Sequence, residues 1–267
     1  MATVRINNSD REFDLGHPID ISIPLRFNGP QPNAFGVEPA TARPCEYGSL
    51  VGDTRRGGSC NFEQVTLIPH CNGTHTECVG HITNERISIR ECLTDAFVEA
   101  ELITVDPEAA AGCDESHSTE FAATDRLITR RSFAGKLQAT HPYALIVRTL
   151  PNDDRKLTQV YKDRIPPFFT TEAMDLIVSL GIKHLLVDLP SIDRIYDEGK
   201  LSNHRAFWNV DQNSCELNTN VRRNCTITEL IYVPNNVPDG RYLLNLQIAP
   251  FESDASPSRP ILFPFGS

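Results

Sequence analysis

A chain of 267 residues with 40% hydrophobic content carries enough apolar material to bury a sizeable core. Its 35 acidic residues outnumber 25 basic ones, the formal net charge is -10, and the basic residues never form a run, which excludes a non-specific nucleic-acid binder. No stretch approaches the roughly 18 to 20 consecutive apolar residues of a membrane span, and the opening residues lack the apolar centre of a signal peptide; a cytoplasmic protein without a membrane partner is expected.

Residues 20 to 27 alternate apolar and polar side chains and predict a strand interrupted at Pro24. A Pro, Gly and Asn-rich loop follows to about Pro44, long enough to serve as a substrate-covering segment. Residues 60 to 70 predict a strand that delivers His70 at its C-terminal end. Arg86 to Arg90 and Phe97 to Asp106 predict two more strands, whereas residues 107 to 124 read equally as exposed helix or loop.

Tyr143 to Arg148 is a short continuous apolar run, as in a strand buried on both faces. Thr170 to Gly181 predicts a helix, with Thr170 as cap, apolar residues at 174, 177 and 178, and Gly181 closing it. His184 to Asp188 predicts the next strand. Strand, helix and strand at this spacing imply a βαβ unit with a right-handed crossover and parallel strands. Gly240 to Ala249 predicts a last strand before a Pro-rich tail. The order predicts an α/β or α+β domain with a mixed sheet, and no composition break or repeat divides residues 1–267.

His70, His75, Glu77 and His81 crowd into residues 70 to 81 of a chain with only eight histidines. A divalent transition metal would give them a common purpose, because imidazole nitrogen and carboxylate oxygen are its ligands, and alternate positions such as His75 and Glu77 point the same way on an extended chain. Gly73 lets the backbone turn between His70 and His75. A solvated polar loop is the structural alternative. The eight cysteines are expected to be reduced thiols, and the separation of Cys71 from Cys78 matches no common zinc-ribbon spacing. Spacing alone does not distinguish a structural ion from a catalytic one.

The segment also resembles the His-x-Gly-Thr-His-x-Asp-x-Pro-x-His signature of the cyclase superfamily, which includes bacterial kynurenine formamidases and isatin hydrolases. Asp20 to Leu25 is similar to that family's opening strand, Val187 to Asp193 to its Val-Asp-x-x-Ser-Ile-Asp segment, and Ser256 to Pro260 to its terminal Ser-Pro-x-Arg. The resemblance spans most of residues 20 to 262 and implies a swivelling-type β/β/α fold in homodimers or larger homo-oligomers. It further implies one or two divalent ions, Zn or Mn, held by His70, His75, Glu77, His204 and Glu229, with Glu77 bridging. His81 would stand as the catalytic proton donor and acceptor. The implied reaction is hydrolysis of an amide-type bond of a small molecule, with N-formylkynurenine as the family default. A bound metal polarises a carbonyl and acidifies water, and an imidazole with a reference pKa near 6.5 is available in both protonation states.

The chain departs from the signature in three places. One extra residue separates His70 from Gly73, so Cys71 competes with His70 as the first ligand; our reading favours His70. Glu77 replaces an aspartate, and Cys78, Val79 and Gly80 replace a proline-containing link. The formamidases' N-terminal tryptophan is absent, leaving Phe27 and Phe35 in that stretch, while Trp208 reads equally as core or pocket wall. Asp188 and Asp193 read as partners that orient a ligand histidine or as turn residues. His17, His117, His141 and His184 read as surface or core residues, and Ser191 lacks a nucleophile-elbow setting. The same site would also serve a cyclase, a lactonase or an isatin hydrolase, and a saturated ion would mark a non-catalytic binding protein.

Overall fold

The computed structural model describes residues 2–6, 9–137, 143–162 and 164–266; His141 lies outside the described residues. A nine-stranded mixed sheet forms the frame, its strands numbered here in chain order. They are β1 (Ile19–Asp20), β2 (His75–Glu77), β3 (Phe97–Val105), β4 (Ala144–Thr149) and β5 (His184–Val187). The others are β6 (Thr226–Glu229), β7 (Gly240–Asn245), β8 (Ala255–Pro257) and β9 (Ile261–Pro264). Across the sheet they run β8-β2-β6-β5-β4-β3-β7-β9-β1. The four central strands, β3 to β6, are mutually parallel, and the outer pairs are antiparallel. This is the expected α/β class with a mixed sheet.

β4 shows why the centre reads as an uninterrupted apolar run: every residue in it is buried. Leu145 and Val147 join the core on one face, with Ala173, Met174 and Ile177 of helix α3 (Thr171–Ser179) and Phe207 and Trp208 of helix α4 (Ser202–Trp208). Ala144 and Ile146 join the second core on the other face, with Val98, Leu186 and Leu244. Removing each such aliphatic side chain from water stabilises the fold by roughly 1.5–3 kcal/mol. α3 begins as its sequence dictates, Thr170 Oγ1 accepting from Ala173 N at 3.2 Å, and it stops before Gly181, whose φ of 73° suits a residue without Cβ. β4, α3 and β5 form the expected unit with parallel strands.

Several local expectations are corrected. Residues 60 to 70 do not form one strand running to His70: Glu63–Thr66 is a strand, paired with Thr41–Pro44 in an exposed ribbon outside the main sheet, and His70 sits in the one-turn helix α1 (Pro69–Asn72). Pro69 starts that turn, since a proline at the first helical position loses no hydrogen bond. Arg86 to Arg90 is not a strand either. Ile87 and Ile89 are buried as their alternation suggests, but Ser88 accepts from Arg90 N at 3.2 Å and caps the short helix α2 (Ile89–Cys92). Residues 107 to 124 follow the loop reading, apart from the short strand Glu108–Ala109.

The strand expected over 20 to 27 is paired only at β1 and by a single bridge from Ser22 to Ile231. The loop after it is not structureless: Asn33–Ala34 pairs with Val160–Tyr161. The Pro-rich tail supplies β8 and β9, one on each side of the sheet. No described helix is long and apolar enough to cross a membrane.

Candidate metal centre

β2 is three residues long, yet it organises the cluster because it is stitched on both sides. Its register places His75 opposite Glu229 and Pro257, and Glu77 opposite Ile227 and Ala255. Side chains alternate across a strand, so His75 and Glu77 share one face. Thr76 turns to the other, where its Oγ1 lies 2.8 Å from Thr228 Oγ1. Cross-strand partners share a face, which sets Glu229 Oε2 3.6 Å from His75 Nε2. Thr74 fixes the entry to β2, accepting from Ile23 N at 2.8 Å and donating to the Leu230 carbonyl.

Helix α4 contributes His204, whose Nε2 lies 3.0 Å from Glu77 Oε1 and 3.7 Å from Glu229 Oε1. The other Glu77 oxygen, Oε2, is 3.5 Å from His70 Nε2 and 3.9 Å from His81 Nε2. Two groups of donors result, His70–Glu77–His81 and Glu77–His204–Glu229, each with its atoms within 4.8 Å of one another. Glu77 belongs to both, and His75 borders the second through Glu229. All six residues singled out in the sequence are therefore brought together.

Asp193 turns His204. Its Oδ2 accepts from His204 Nδ1 at 2.7 Å and from His204 N at 3.2 Å, while Oδ1 accepts from Asn203 N at 2.9 Å. This is the orienting role read as one of two options for Asp193. Asp188 takes neither role: it accepts from Thr149 N at 2.9 Å and from Lys156 Nζ at 2.7 Å, tying the end of β5 to β4 and the segment after it. Ser191 Oγ accepts from Asp193 N at 3.1 Å, a local turn contact. Trp208 is fully buried, donates to the Cys225 carbonyl at 2.8 Å and backs the His204 ring at 5.5 Å, so it is a core residue. His17 is exposed and His184 buried, whereas His117, given no role from the sequence, places Nε2 3.3 Å from Asp193 Oδ1.

One contributor went unread in the sequence. Asp254 Oδ2 lies 3.0 Å from His70 Nε2 and 3.3 Å from His81 Nδ1, just ahead of β8, whose pairing with β2 carries it in. No local spacing marks it, and only the adjacent Ser256 to Pro260 resemblance pointed near it. His81 itself stacks on His70 with ring centroids 4.4 Å apart. Its turn depends on Gly80, where a Cβ would sit 2.1 Å from the Ile87 carbonyl oxygen. That close approach explains why glycine precedes His81.

Electrostatics shows how far the cluster is from self-sufficient. Burial drives the Glu229 carboxyl well above its usual range, and neighbouring Glu77 pushes it the same way. Burial also opposes charge on Glu77, but His81, His204 and His70 outweigh it and hold Glu77 low. Burial likewise disfavours charge on His204, yet Glu77 and Asp193 raise it well above the usual imidazole value. His75 is pushed down to about 4 by burial and by His70, so it is neutral at pH 7.

Because His75 Nδ1 donates to the Gly73 carbonyl at 3.0 Å, its lone pair resides on Nε2. That atom and His70 Nε2 are buried without a hydrogen-bond partner among the described residues; the nearby Asp254 oxygen is off-line for a hydrogen bond. An unsatisfied buried polar group costs about 1–3 kcal/mol, which a cation held between these nitrogens and the flanking carboxylates would relieve. Nitrogen and carboxylate donors in this number fit a divalent transition metal. Cys71 is buried and its thiol is pushed up to about 11 by burial and by Glu229, which keeps it protonated. It belongs to neither donor group among the described residues.

A mixed sheet that gathers imidazoles and carboxylates at one strand is the frame of an α/β protein with a candidate metal centre. The chain belongs to the family described as "Putative cyclase", whose sequence model matches residues 13–194, and the resemblance read from residues 70 to 81 is borne out. It is 26% identical over 248 residues to the kynurenine formamidase of Bacillus cytotoxicus, covering 92% of this chain and 97% of that protein. The kynurenine formamidase of Bacillus anthracis is 25% identical with the same coverage. The fold is similar to isatin hydrolase A from Labrenzia aggregata, with a TM-score of 0.60, 14% identity and 94% of both chains covered. It is also similar to a potential metal-dependent hydrolase with cyclase activity, with a TM-score of 0.60, 16% identity, and 92% and 98% covered.

Proposed function

We propose that the protein is a metal-dependent hydrolase of an amide-type bond in a small molecule, an arylformamidase acting on N-formylkynurenine or a close analogue. His70, His75, Glu77, His204 and Glu229 would hold one or two divalent ions, zinc or manganese, with Glu77 shared between them. The observation that carries this reading is the pair of buried, unpartnered imidazole nitrogens on His70 and His75, set against the Glu77 and Glu229 carboxylates. Relatives named kynurenine formamidase over nearly the whole chain support the reaction class.

A divalent ion held there supplies Lewis acidity, polarising a carbonyl oxygen and acidifying water. The chain's own residues do the rest. Asp193 fixes the His204 ring so that Nε2 faces the Glu77 and Glu229 carboxylates. His81, partly exposed beside Glu77, is placed to carry a proton to the leaving nitrogen, and Asp254 at 3.3 Å holds its Nδ1. Phe27 and Phe35 are proposed as the aromatic surfaces nearest the family's substrate-packing position.

Assay of N-formylkynurenine, isatin and a lactone with wild type and His81→Asn tests the assignment. A positioned acid–base group contributes about 10²–10⁴-fold, so a kcat loss of that size with metal content unchanged is expected. Hydrolysis of N-formylkynurenine by His81→Asn at the wild-type rate would overturn the role of His81. Turnover of isatin or the lactone alone would replace the substrate.

A further inference from the structure

Where β4 and β5 end lies a cavity of about 520 Å³, with Thr149 and Leu189 in its wall. None of its lining residues belongs to the cluster. In a chain of net charge -10, its wall carries four cations, Arg126, Arg155, Lys156 and Arg164, against two carboxylates, Asp125 and Asp153. Both carboxylates are engaged, Asp125 by Arg194 at 3.0 Å and Asp153 by Arg155 at 2.7 Å. Lys156 is consumed by Asp188 at 2.7 Å and by Thr149, and Arg126 reaches Asp106 at 3.4 Å and the Pro107 carbonyl. Arg164 makes no ion pair among the described residues and is exposed.

A second polar group is also without a partner. Tyr161 lines the cavity and is only 6% exposed, its ring packed among Ile23, Ile195 and Leu230. Its hydroxyl makes no hydrogen bond among the described residues, and it is not sealed among the fully buried unsatisfied atoms, which leaves the cavity as the space it faces. A phenol inside a protein ordinarily finds a partner. Leu150, Pro151, Ile165 and Leu189 form an apolar part of the wall, beside the polar side chains of Thr124, Thr149 and Gln159. One guanidinium without an ion pair, one unpartnered phenol and a partly apolar wall are the features of a small-ligand site.

We propose that this cavity binds a small carboxylate with an apolar body, the carboxylate meeting Arg164 and the Tyr161 hydroxyl and the body lying on Leu150, Pro151, Ile165 and Leu189. The site stands whether or not the histidine cluster holds metal. Charge-assisted hydrogen bonds give Arg164 the larger share of the affinity and the phenol hydroxyl the smaller.

Calorimetric titration with phenylacetate tests it, with neutral phenylacetamide and inorganic phosphate as comparison probes, on wild type, Arg164→Ala, Tyr161→Phe and His75→Ala. Arg164 is exposed and Tyr161→Phe conserves shape, so both variants should fold, which circular dichroism checks. One saturable site is expected, weakened about tenfold or more by Arg164→Ala and about threefold or more by Tyr161→Phe. Phenylacetamide and phosphate should bind more weakly than phenylacetate, and His75→Ala should bind it as wild type does. No saturable binding, equal binding by both cavity variants, phosphate as tight as phenylacetate, or loss in His75→Ala alone would overturn the proposal.

Discussion

Replacing Asp193 with Asn tests how the cluster is oriented, and the structure sets the size of the effect. Five groups converge on this buried carboxylate: His204 Nδ1 at 2.7 Å, His204 N at 3.2 Å, Asn203 N at 2.9 Å, Ser202 Oγ at 3.2 Å and His117 Nε2 at 3.3 Å. The carboxylate's charge is held low in pKa by these bonds, chiefly those of His117 and His204, against the opposing effect of burial. Asn keeps one acceptor and turns an NH2 group toward the other set of donors. Whichever way the amide faces, at least one backbone N–H meets a donor, a cost of about 1–3 kcal/mol in stability. His204 also loses the partner that fixes its tautomer, and removal of such partners typically costs about 10–100-fold in metal affinity.

Competition for zinc against a chromogenic chelator measures the affinity, and thermal melts report the fold. Asp188→Asn is the control, since Asp188 serves Thr149 and Lys156 and should affect stability without affecting zinc. A folded Asp193→Asn variant that binds zinc as wild type does, or an equal loss in Asp188→Asn, would refute the reasoning.

Three further outcomes follow from other parts of the molecule. Gly80→Ala drives a Cβ to 2.1 Å from the Ile87 carbonyl, so the turn carrying His81 must shift; a stability loss of about 1–3 kcal/mol with impaired turnover is expected in melts and rate assays. His184 is buried and its pKa is pushed down to about 4 by burial, so the native state keeps it neutral. The unfolded chain protonates it below its ordinary value, so stability falls as the pH drops through 6.5 toward 4. Between pH 7 and pH 5 that amounts to about 2 kcal/mol, which His184→Gln should remove from the difference between denaturant unfolding curves at the two pH values. For the Thr76–Thr228 hydroxyl pair, either single change to Val strands one buried hydroxyl at about 1–3 kcal/mol, while the double variant recovers much of that loss. Strictly additive single effects in a double-mutant cycle would contradict the pairing.

The sequence was most legible where local chemistry decides local structure. β4 and β5 were readable because a strand buried on both faces needs a continuous apolar run, and α3 because Thr170 and Gly181 mark its ends. The candidate site was readable at His70, His75, Glu77 and His81 for a related reason: the short range 70 to 81 carries both the candidate ligands and the turns that fold them together. Asp254 was not, since it is 173 positions from His81 and arrives only through the register of β8 on β2. His117 reaches Asp193 across 76 positions in the same manner. Arg86 to Arg90 misled because two isoleucines buried on either side of a capping serine imitate strand alternation. Residues 60 to 70 misled because β-branched and apolar residues there build an exposed ribbon, a pairing decided by the partner segment 41–44 and not by burial.

Elemental analysis of purified wild type and His75→Ala is the decisive test of metal binding, because His75 Nε2 has no hydrogen-bond partner among the described residues. One to two divalent ions per wild-type chain are expected, and their loss, together with hydrolytic activity, in the folded variant. Wild-type protein that takes up no ion even after reconstitution with zinc or manganese would contradict that expectation.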